Sequence, residues 1–249
     1  MAETTVRFRI KRQDNGAAAA RWEDFVLPYR SGMNVISALM AIQRNPTTTD
    51  GVKTTPPVWE ASCLEEVCGS CTMLVNGQAR QACTALIDNL EQPISLEPMT
   101  KFPLVRDLIV NRTKMFDNLK KVKAWVPVDG TYDLGPGPRI SQEKQEEMYP
   151  LSRCMTCGVC LEVCPQFGPQ SDFMGAQIIN AVRLFNAHPT GALNADERLE
   201  AITGAGGIQD CGNAQNCVRS CPKDIPLTAS IAEVNRQATK YMFKRMLRR

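Results

Sequence analysis

Seven cysteines in the second half of the chain stand at spacings suited to binding iron and sulfide. The first run reads C-x2-C-x2-C-x3-C-P and contains Cys154, Cys157, Cys160 and Cys164. The second run keeps this pattern, with Ala214 in place of its second cysteine, and contains Cys211, Cys217 and Cys221. Thiolates at this spacing bind iron–sulfur clusters, and where two runs occur the fourth cysteine of one run binds the cluster of the other. The spacing therefore predicts two clusters that exchange ligands.

The two predicted clusters differ in their thiolate ligands. One site has enough thiolates for a [4Fe–4S] cluster, namely Cys154, Cys157, Cys160 and Cys221. The other site lacks a fourth thiolate, because the methyl group of Ala214 cannot coordinate iron, and consists of Cys164, Cys211 and Cys217. A four-iron cluster without its fourth ligand can lose one iron, so we predict a [3Fe–4S] cluster at this second site.

A third cysteine group, in the first half of the chain, has the plant-type [2Fe–2S] spacing. It reads C-x4-C-x2-C with a distant fourth ligand and consists of Cys63, Cys68, Cys71 and Cys83. Gly69 and Ser70 would let the backbone fold close to the metal, and their amides would donate hydrogen bonds to sulfur. A four-cysteine zinc site is the alternative, although zinc sites more often pair two C-x2-C units.

Composition restricts the class of protein. The 249 residues carry 29 Lys and Arg against 26 Asp and Glu, a net charge of +3 that gives no indication of nucleic-acid binding. Eleven cysteines cannot all pair in disulfides, so we expect reduced thiols in a reducing compartment. The stretch MAETTVRFRIKRQDN has no apolar core, and no apolar run approaches about 18 residues. We therefore expect a soluble or peripheral protein without signal peptide or transmembrane segment.

The first part of the chain alternates strand and helix signals. Strands are predicted around residues 6–10, 22–27, 58–59, 72–75, 78–82 and 94–96, and the turn signal Asn76-Gly77 predicts a hairpin. A helix is predicted to open at Ser31-Gly32, with apolar residues at helical spacing from Val35 to Ile42. We predict an α+β protein whose residues 1–103 form a β-grasp, plant-type [2Fe–2S] ferredoxin-like domain.

Helical patterning begins after Pro103 and predicts a second, all-α bacterial ferredoxin-like domain over residues 104–249. Its first helix would carry apolar residues from Leu104 to Leu119, with a solvated basic face made of Arg106, Arg112, Lys120 and Lys121. Further helices are predicted from SQEKQEEMY and between the two cysteine runs, one of them with an Asn194–Glu197 capping box. Gly135-Pro136-Gly137-Pro138 is predicted to be a loop.

Two further features concern partners. The tail over residues 231–249 is basic and amphipathic, which suits a membrane surface, an acidic partner or plain solvent. His188, the only histidine, precedes a proline at a predicted helix end, where a capping role is expected. With no dinucleotide loop or nucleophile elbow in the sequence, we expect no catalytic residues. Three clusters then indicate an electron wire between a two-electron donor such as a flavin and an acceptor such as a quinone.

The cysteine motifs resemble those of the iron–sulfur subunit of succinate dehydrogenase (succinate:quinone oxidoreductase), a close relative of fumarate reductase. The resemblance rests on SCLEEVCGSC with Cys83, CMTCGVCLEVCP, CGNAQNCVRSCP and the connector RDLIVNRTKMFDNL. It implies [2Fe–2S], [4Fe–4S] and [3Fe–4S] clusters in that order along the wire. It also implies an FAD-containing flavoprotein partner that oxidises succinate, and a membrane-anchor cytochrome b subunit with haem, where quinone is reduced near the [3Fe–4S] end. The resemblance places the chain peripherally on the cytoplasmic face of the bacterial cell membrane, held by the anchor.

Two departures bear on the quinone. Many ubiquinone-reducing members carry a tryptophan after the first cysteine-proline, where this chain has PQFGPQ, and a histidine where it has Gly212. The pattern is more similar to menaquinone-type bacterial members with a single dihaem cytochrome b anchor. Pro165 is expected to approach the quinone, as the family suggests.

Three alternatives stay open at this point. A fumarate reductase subunit would use the same wire in the opposite direction. A free ferredoxin-like carrier would need no fixed partner, and a zinc-stabilised structural protein would hold no sulfide.

Overall fold

The computed structural model describes residues 5–127 and 138–247, so Gly135 to Gly137 of the predicted loop and Arg248 and Arg249 of the basic tail lie outside the described residues. The chain forms two compact units. The first consists of Met1–Arg112 with Met155–Glu162, and the second of Thr113–Cys154 with Val163–Arg249. The predicted boundary between domains at residue 103 stays a prediction.

The first unit contains a five-stranded sheet with the order β2-β1-β5-β3-β4. Its strands are β1 (Thr5–Arg12), β2 (Arg21–Pro28), β3 (Thr72–Val75), β4 (Gln78–Gln81) and β5 (Ile94–Glu97). Strands β1 and β5 are parallel, and all other neighbours are antiparallel. The predicted hairpin joins β3 to β4, with Asn76 at φ 50° and Gly77 at φ 74°, as a tight turn of two left-handed residues requires.

One helix, α1 (Val35–Arg44), supplies much of the apolar core beside this sheet. It begins later than predicted: Ser31-Gly32 forms a turn, and Asn34 caps the helix by accepting the N–H of Ser37 at 2.8 Å. The inward residues of β1 alternate as predicted, with Val6, Phe8 and Ile10 fully buried. Sheet and helix together confirm the predicted β-grasp class of this part.

The predicted helix from residue 104 is wrong up to residue 112. Residues 104–110 form a hairpin of β6 (Leu104–Arg106) and β7 (Ile109–Val110), turning at Asp107 with φ 46°. The Asp107 carboxylate is fully buried, pairs with buried Arg12 at 3.1 Å, and accepts the N–H groups of Gln13 and Val58, each at 3.0 Å. A buried carboxylate needs such donors, and this demand outweighs the local apolar spacing.

The strand predicted at residues 58–59 is also wrong, because this stretch has no regular structure. Pro56 and Pro57 carry no N–H donor for a sheet ladder. The backbone of Val58 bonds instead to the turn of the new hairpin, donating to Asp107 and accepting the N–H of Leu108 at 3.1 Å.

One short helix, α4 (Val159–Glu162), belongs to the first unit. The described part of the second unit is helical, as the predicted all-α class requires, and consists of α2 (Thr113–Lys121), α3 (Gln142–Ser152), α5 (Ala176–Ala187), α6 (Ala195–Thr203), α7 (Asn216–Arg219) and α8 (Leu227–Leu247). Helix α5 is its centre: it packs against α3, α6 and α8, and its Ile178, Ile179 and Val182 are buried. Among residues 5–127 and 138–247, no helix has the length and apolar character needed to cross a membrane.

The capping box predicted at Asn194 is wrong. Its side chain makes no capping bond to the backbone, and its amide donates to Oε1 of Glu197 at 2.6 Å. A 3-10 turn over Gly191–Asn194 leads directly into α6, so Asn194 lacks the extended backbone of a capping residue. His188 has the predicted local role, because its Nδ1 accepts the N–H of Gly191 at 3.3 Å.

Candidate iron–sulfur sites

The loop of the first cysteine group directs backbone N–H groups at its sulfur atoms. Sγ of Cys63 accepts from three of them at 3.4, 3.3 and 3.3 Å, namely those of Glu65, Val67 and Cys68. Leu64 and Glu66 have positive φ angles of 60° and 56°, and such alternation makes successive amides converge on one point. Converging N–H groups stabilise a thiolate, which is the form that binds metal.

Cys68 is the second sulfur in this loop and has a lowered pKa. The backbone N–H of Cys63 is the largest cause, followed by the hydroxyl and then the backbone N–H of Ser70, and together they lower the pKa to about 6. Oγ of Ser70 lies 3.1 Å from Sγ of Cys68. The hydroxyl of Ser70 thus contacts this sulfur, and the hydrogen bonds predicted from the amides of Gly69 and Ser70 stay a prediction.

Cys71 and Cys83 come together because the β3–β4 hairpin returns the chain. Thr72 pairs with Gln81 across the hairpin, and the N–H of Ala82 donates to the carbonyl of Cys71 at 3.2 Å. Both thiols are buried, and burial raises the pKa of Cys71 to about 12, with the Cys83 side chain as a further cause. A bound metal would supply the positive charge that such buried thiolates need, so the pair fits a metal cluster.

Arg112, predicted to be a solvated surface residue, instead binds the cysteine loop. Its guanidinium donates to the carbonyl of Gly69 at 2.8 Å and to that of Ser70 at 2.9 Å, and it pairs with Glu60 at 2.6 Å. Only 14% of its side chain is exposed. Nothing in the sequence spacing indicates this role, because the contact joins residues more than 40 positions apart.

Gly69 brings this loop into contact with the second cysteine run. Its φ is +70°, and a Cβ atom added here would lie 2.7 Å from Cα of Cys157 and 3.0 Å from the carbonyl of Met155. The distance of 2.7 Å to a backbone atom is too short for any Cβ, so only glycine permits the approach without a shift of the backbone. That Gly69 lets the backbone fold close to the metal stays a prediction, and the close neighbour that the structure shows is Cys157.

Glu162 ends α4, two residues after Cys160, and fixes this segment to the first unit. Its carboxylate accepts the N–H of Thr100 at 2.8 Å, the hydroxyl of Thr100 at 2.6 Å and the N–H of Lys101 at 3.0 Å. The sequence gives no signal for this residue. Its bonds hold the segment that carries Cys157 and Cys160.

The predicted [4Fe–4S] ligands fall in both units. Cys157 and Cys160 belong to the first unit, and Cys154 and Cys221 to the second. Their assignment to one cluster stays a prediction from the spacing.

The three predicted [3Fe–4S] ligands line one cavity of the second unit. This cavity encloses about 340 Å³ of empty space, counting space open to solvent, and its wall includes Cys164, Cys211, Cys217 and Ala214. Burial is the largest cause that raises the pKa of Cys217, and the charges of Cys164 and Cys211 raise it further. The three thiols are thus close enough to repel one another as anions, as the ligands of one cluster should be. The methyl group of Ala214 stands in the same wall.

Gly212 lies in the wall of this cavity beside Gln166. A Cβ atom added to Gly212 would lie 2.5 Å from Nε2 of Gln166. The side-chain amide of Gln166 therefore occupies space that a side chain at position 212 would need. Gln166 and Pro165 are both exposed.

Within residues 5–127 and 138–247, no three His, Cys, Asp or Glu side chains are arranged around a single ion. In a [4Fe–4S] or [3Fe–4S] cluster each thiolate binds a different iron, and in a [2Fe–2S] cluster only two thiolates share an iron, so no three ligands need to surround one ion.

Two sequence families match the chain. A 2Fe-2S iron-sulfur cluster binding domain matches residues 7–117, and a 4Fe-4S dicluster domain matches residues 150–225. Their order agrees with the order of the cysteine groups. The cofactor prediction of [2Fe–2S] and [4Fe–4S] binding domains is therefore confirmed.

Similar proteins include two iron–sulfur subunits and one solved structure. The succinate dehydrogenase iron-sulfur subunit of Bacillus subtilis is 60% identical over 242 residues, which cover 97% of this chain and 96% of the relative. The fumarate reductase iron-sulfur subunit of Wolinella succinogenes is 32% identical over 178 residues, covering 70% and 74%. A chain of the Mycobacterium smegmatis Sdh1 complex in the apo form has a TM-score of 0.81 at 20% identity, covering 97% and 98%, and shares the fold. The chain therefore belongs to the family of succinate dehydrogenase iron–sulfur subunits, with the fumarate reductase iron–sulfur subunits as relatives.

Proposed function

We propose that this chain transfers electrons one at a time from the FAD of a flavoprotein subunit, which oxidises succinate, to quinone at a membrane anchor. Family membership supports the coarser statement, that the chain is the iron–sulfur subunit of a succinate dehydrogenase complex with flavoprotein and membrane-anchor partners. The substrate chemistry on succinate is assigned to the flavoprotein. Identity of 60% over nearly the whole chain favours succinate oxidation over the fumarate reductase direction.

The contact of Gly69 with Cys157 is the observation that carries this proposal. It brings the backbone of the [2Fe–2S] loop against a predicted ligand of the [4Fe–4S] cluster, within the same compact unit. Electron transfer rates fall steeply with distance, so a wire needs its sites to be neighbours. A free carrier with independent sites would have no need of this approach.

The residues of the chain hold, orient and shield three clusters, which when bound supply one-electron oxidation and reduction. We keep the predicted ligands. The [2Fe–2S] cluster is assigned to Cys63, Cys68, Cys71 and Cys83, the [4Fe–4S] cluster to Cys154, Cys157, Cys160 and Cys221, and the [3Fe–4S] cluster to Cys164, Cys211 and Cys217. The N–H groups around Cys63 and Cys68 stabilise negative charge on sulfur. Burial of Cys71 and Cys83 keeps water from that side of the first site.

At the acceptor end we assign quinone to the exposed rim of the three-cysteine cavity. Pro165 and Gln166 follow Cys164 directly and are exposed there, where a quinone ring could reach them. The absence of a side chain at Gly212 favours menaquinone, following the resemblance to menaquinone-type members. The same resemblance assigns a haem-bearing cytochrome b anchor and a peripheral position on the cytoplasmic face of the bacterial cell membrane.

The proposed function is tested on the purified complex by low-temperature EPR before and after the addition of succinate. An oxidised [3Fe–4S] cluster is paramagnetic, so we expect its signal in the complex as isolated. Succinate should abolish this signal and produce that of a reduced [2Fe–2S] cluster. Signals that respond to dithionite but not to succinate would contradict the proposal.

The ligand assignment is tested by Cys68→Ser in the same complex. We expect a changed [2Fe–2S] spectrum, because an alkoxide replaces one thiolate, with the other two signals unchanged. Loss of the four-iron signal while the two-iron signal survives would show that the assignment is wrong.

The identity of the quinone is tested by measuring turnover of the complex with soluble naphthoquinone and benzoquinone analogues. Faster succinate-dependent reduction of the naphthoquinone supports menaquinone, and the reverse order supports ubiquinone.

A further inference from the structure

Arg112 places a positive charge directly behind the loop that holds the first cysteine group. It is 14% exposed, whereas its ion-pair partner Glu60 is 44% exposed. Water screens the charge of the more exposed Glu60 more strongly than that of Arg112. A net positive field therefore acts on the two carbonyls that Arg112 binds, those of Gly69 and Ser70.

The peptide unit between Gly69 and Ser70 connects this charge to a cysteine sulfur. In a trans peptide the carbonyl and the following N–H point in opposite directions. The carbonyl of Gly69 accepts from Arg112 at 2.8 Å and from the hydroxyl of Thr72 at 2.8 Å. Ser70, the other residue of this peptide, contacts the sulfur: its Oγ lies 3.1 Å from Sγ of Cys68. One peptide dipole thus lies between the guanidinium and the sulfur.

Hydrogen bonds in such a chain strengthen one another, because each polarises the next. A cation on the carbonyl of Gly69 polarises this peptide and makes the N–H of Ser70, the residue in contact with Cys68, more positive. Cluster potentials respond to hydrogen bonds on the sulfur atoms and to net charge nearby. Both effects stabilise the more negative, reduced form.

We propose that Arg112 is a positioning residue that raises the reduction potential of the [2Fe–2S] cluster held by Cys63, Cys68, Cys71 and Cys83. This inference rests on the proposed function, because it requires a cluster at that site. Arg112 acts through the peptide between Gly69 and Ser70, and it touches neither the cysteine sulfurs nor a substrate in the described contacts. The outcome is an easier entry of electrons from the donor subunit.

The experiment is an EPR-monitored redox titration of the [2Fe–2S] signal in the assembled complex. Arg112→Gln removes the charge and is expected to lower the midpoint potential by more than the scatter of replicate titrations. Arg112→Lys keeps a charge but loses the two-pronged donor geometry, so its midpoint should lie between that of Arg112→Gln and the unchanged protein. Glu60→Gln removes the counter-charge and should shift the midpoint upward.

Midpoint shifts of opposite sign in Arg112→Gln and Glu60→Gln distinguish an effect of charge from a change in the structure of the loop. A loop that is merely loosened by loss of the ion pair would respond to both changes in the same direction. Arg9→Gln is the matched control. Arg9 also pairs with a carboxylate, that of Asp24, but its guanidinium lies over Trp22 and not on the cysteine loop. Its midpoint should equal that of the unchanged protein.

An unchanged midpoint in Arg112→Gln overturns the proposal, as do shifts of the same sign in the Arg112→Gln and Glu60→Gln variants. Where Arg112→Gln assembles no cluster, Glu60→Gln decides: an upward shift supports the proposal, and no shift overturns it. Failure of the proposed function would be seen differently, because the unchanged protein would then show no [2Fe–2S] signal that depends on Cys68.

Discussion

At the scale of single residues, small side chains decide as much as the cysteines. The methyl group of Ala214 lies in the wall of the three-cysteine cavity, and the spacing predicts a ligand at this position. The missing side chain of Gly69 lets two cysteine loops touch, and that of Gly212 leaves room for Gln166. A search for reactive groups overlooks these positions, because each acts near the cysteines through the atoms that its side chain lacks.

Ala214→Cys should convert the three-iron site. A thiol at this position restores the fourth ligand of the run, so we expect a [4Fe–4S] cluster and loss of the EPR signal of the oxidised complex. Ala176→Cys is the control, because Ala176 lines the same cavity outside the cysteine run. An unchanged oxidised signal in Ala214→Cys, or conversion by Ala176→Cys as well, would refute the argument from register.

Gly69→Ala should destabilise the chain more than Gly77→Ala. Both glycines have a left-handed backbone, for which a side chain costs about 1–2 kcal/mol, but a Cβ at Gly77 meets nothing within 4 Å. At Gly69 it meets Cys157, so backbone must move and a further loss of stability is expected. Thermal unfolding of the two variants, together with their [2Fe–2S] signal, measures the difference. Equal stability and equal signals would mean that the contact is unimportant.

At the scale of elements, buried polar groups override local pattern. The apolar spacing after Pro103 predicts a helix, but buried Asp107 turns the chain and two strands form around it. In α4 a buried polar group has the opposite effect and stabilises a helix. It has only four residues, too few to be stable alone, and Glu162 ties it to the backbone of Thr100 and Lys101.

Glu162→Gln should loosen α4. The amide would present an NH₂ donor to groups that are themselves donors, the N–H and hydroxyl of Thr100 and the N–H of Lys101. Loss of a hydrogen bond to a buried charge costs about 1.5–3 kcal/mol. We expect lower stability in denaturant and a smaller [4Fe–4S] signal, because Cys160 lies on this helix. The exposed Glu91→Gln change should alter neither, and an identical outcome for both variants would contradict the role given to Glu162.

At the scale of the whole molecule, eleven cysteines are divided among three groups, and metal binding should be part of folding. Thiols such as Cys71 and Cys217 have pKa values raised by burial, so their thiolates are unfavourable without a bound cation. The clusters are therefore expected to contribute to stability as well as to electron transfer.

Removal of iron should lower the melting temperature of the full chain. Chelation under reducing, anaerobic conditions leaves the thiols without metal, and scanning calorimetry before and after treatment measures the loss. Restoring iron and sulfide should recover the original transition. A melting temperature that is independent of iron content would contradict the coupling.

Chemical analysis of iron and sulfide gives an independent test of the three cluster types. Clusters of the three predicted types together contain about nine irons and about ten sulfides per chain. Zinc without sulfide would instead support the structural alternative. A content of about ten irons with no oxidised EPR signal would mean that the third site has a fourth ligand besides its three cysteines.

The sequence alone determined the three cysteine groups and the α+β class and predicted the cluster types, because ligand number and spacing are local properties of the chain. Apolar periodicity likewise determined β1 and α1, and the turn signal Asn76-Gly77 determined the β3–β4 hairpin. Only the tertiary structure decided the roles of Arg112, Asp107 and Glu162. Each makes its bonds to residues more than 40 positions away, and a buried charge chooses its partners by proximity in space. Sequence spacing carries no record of that proximity.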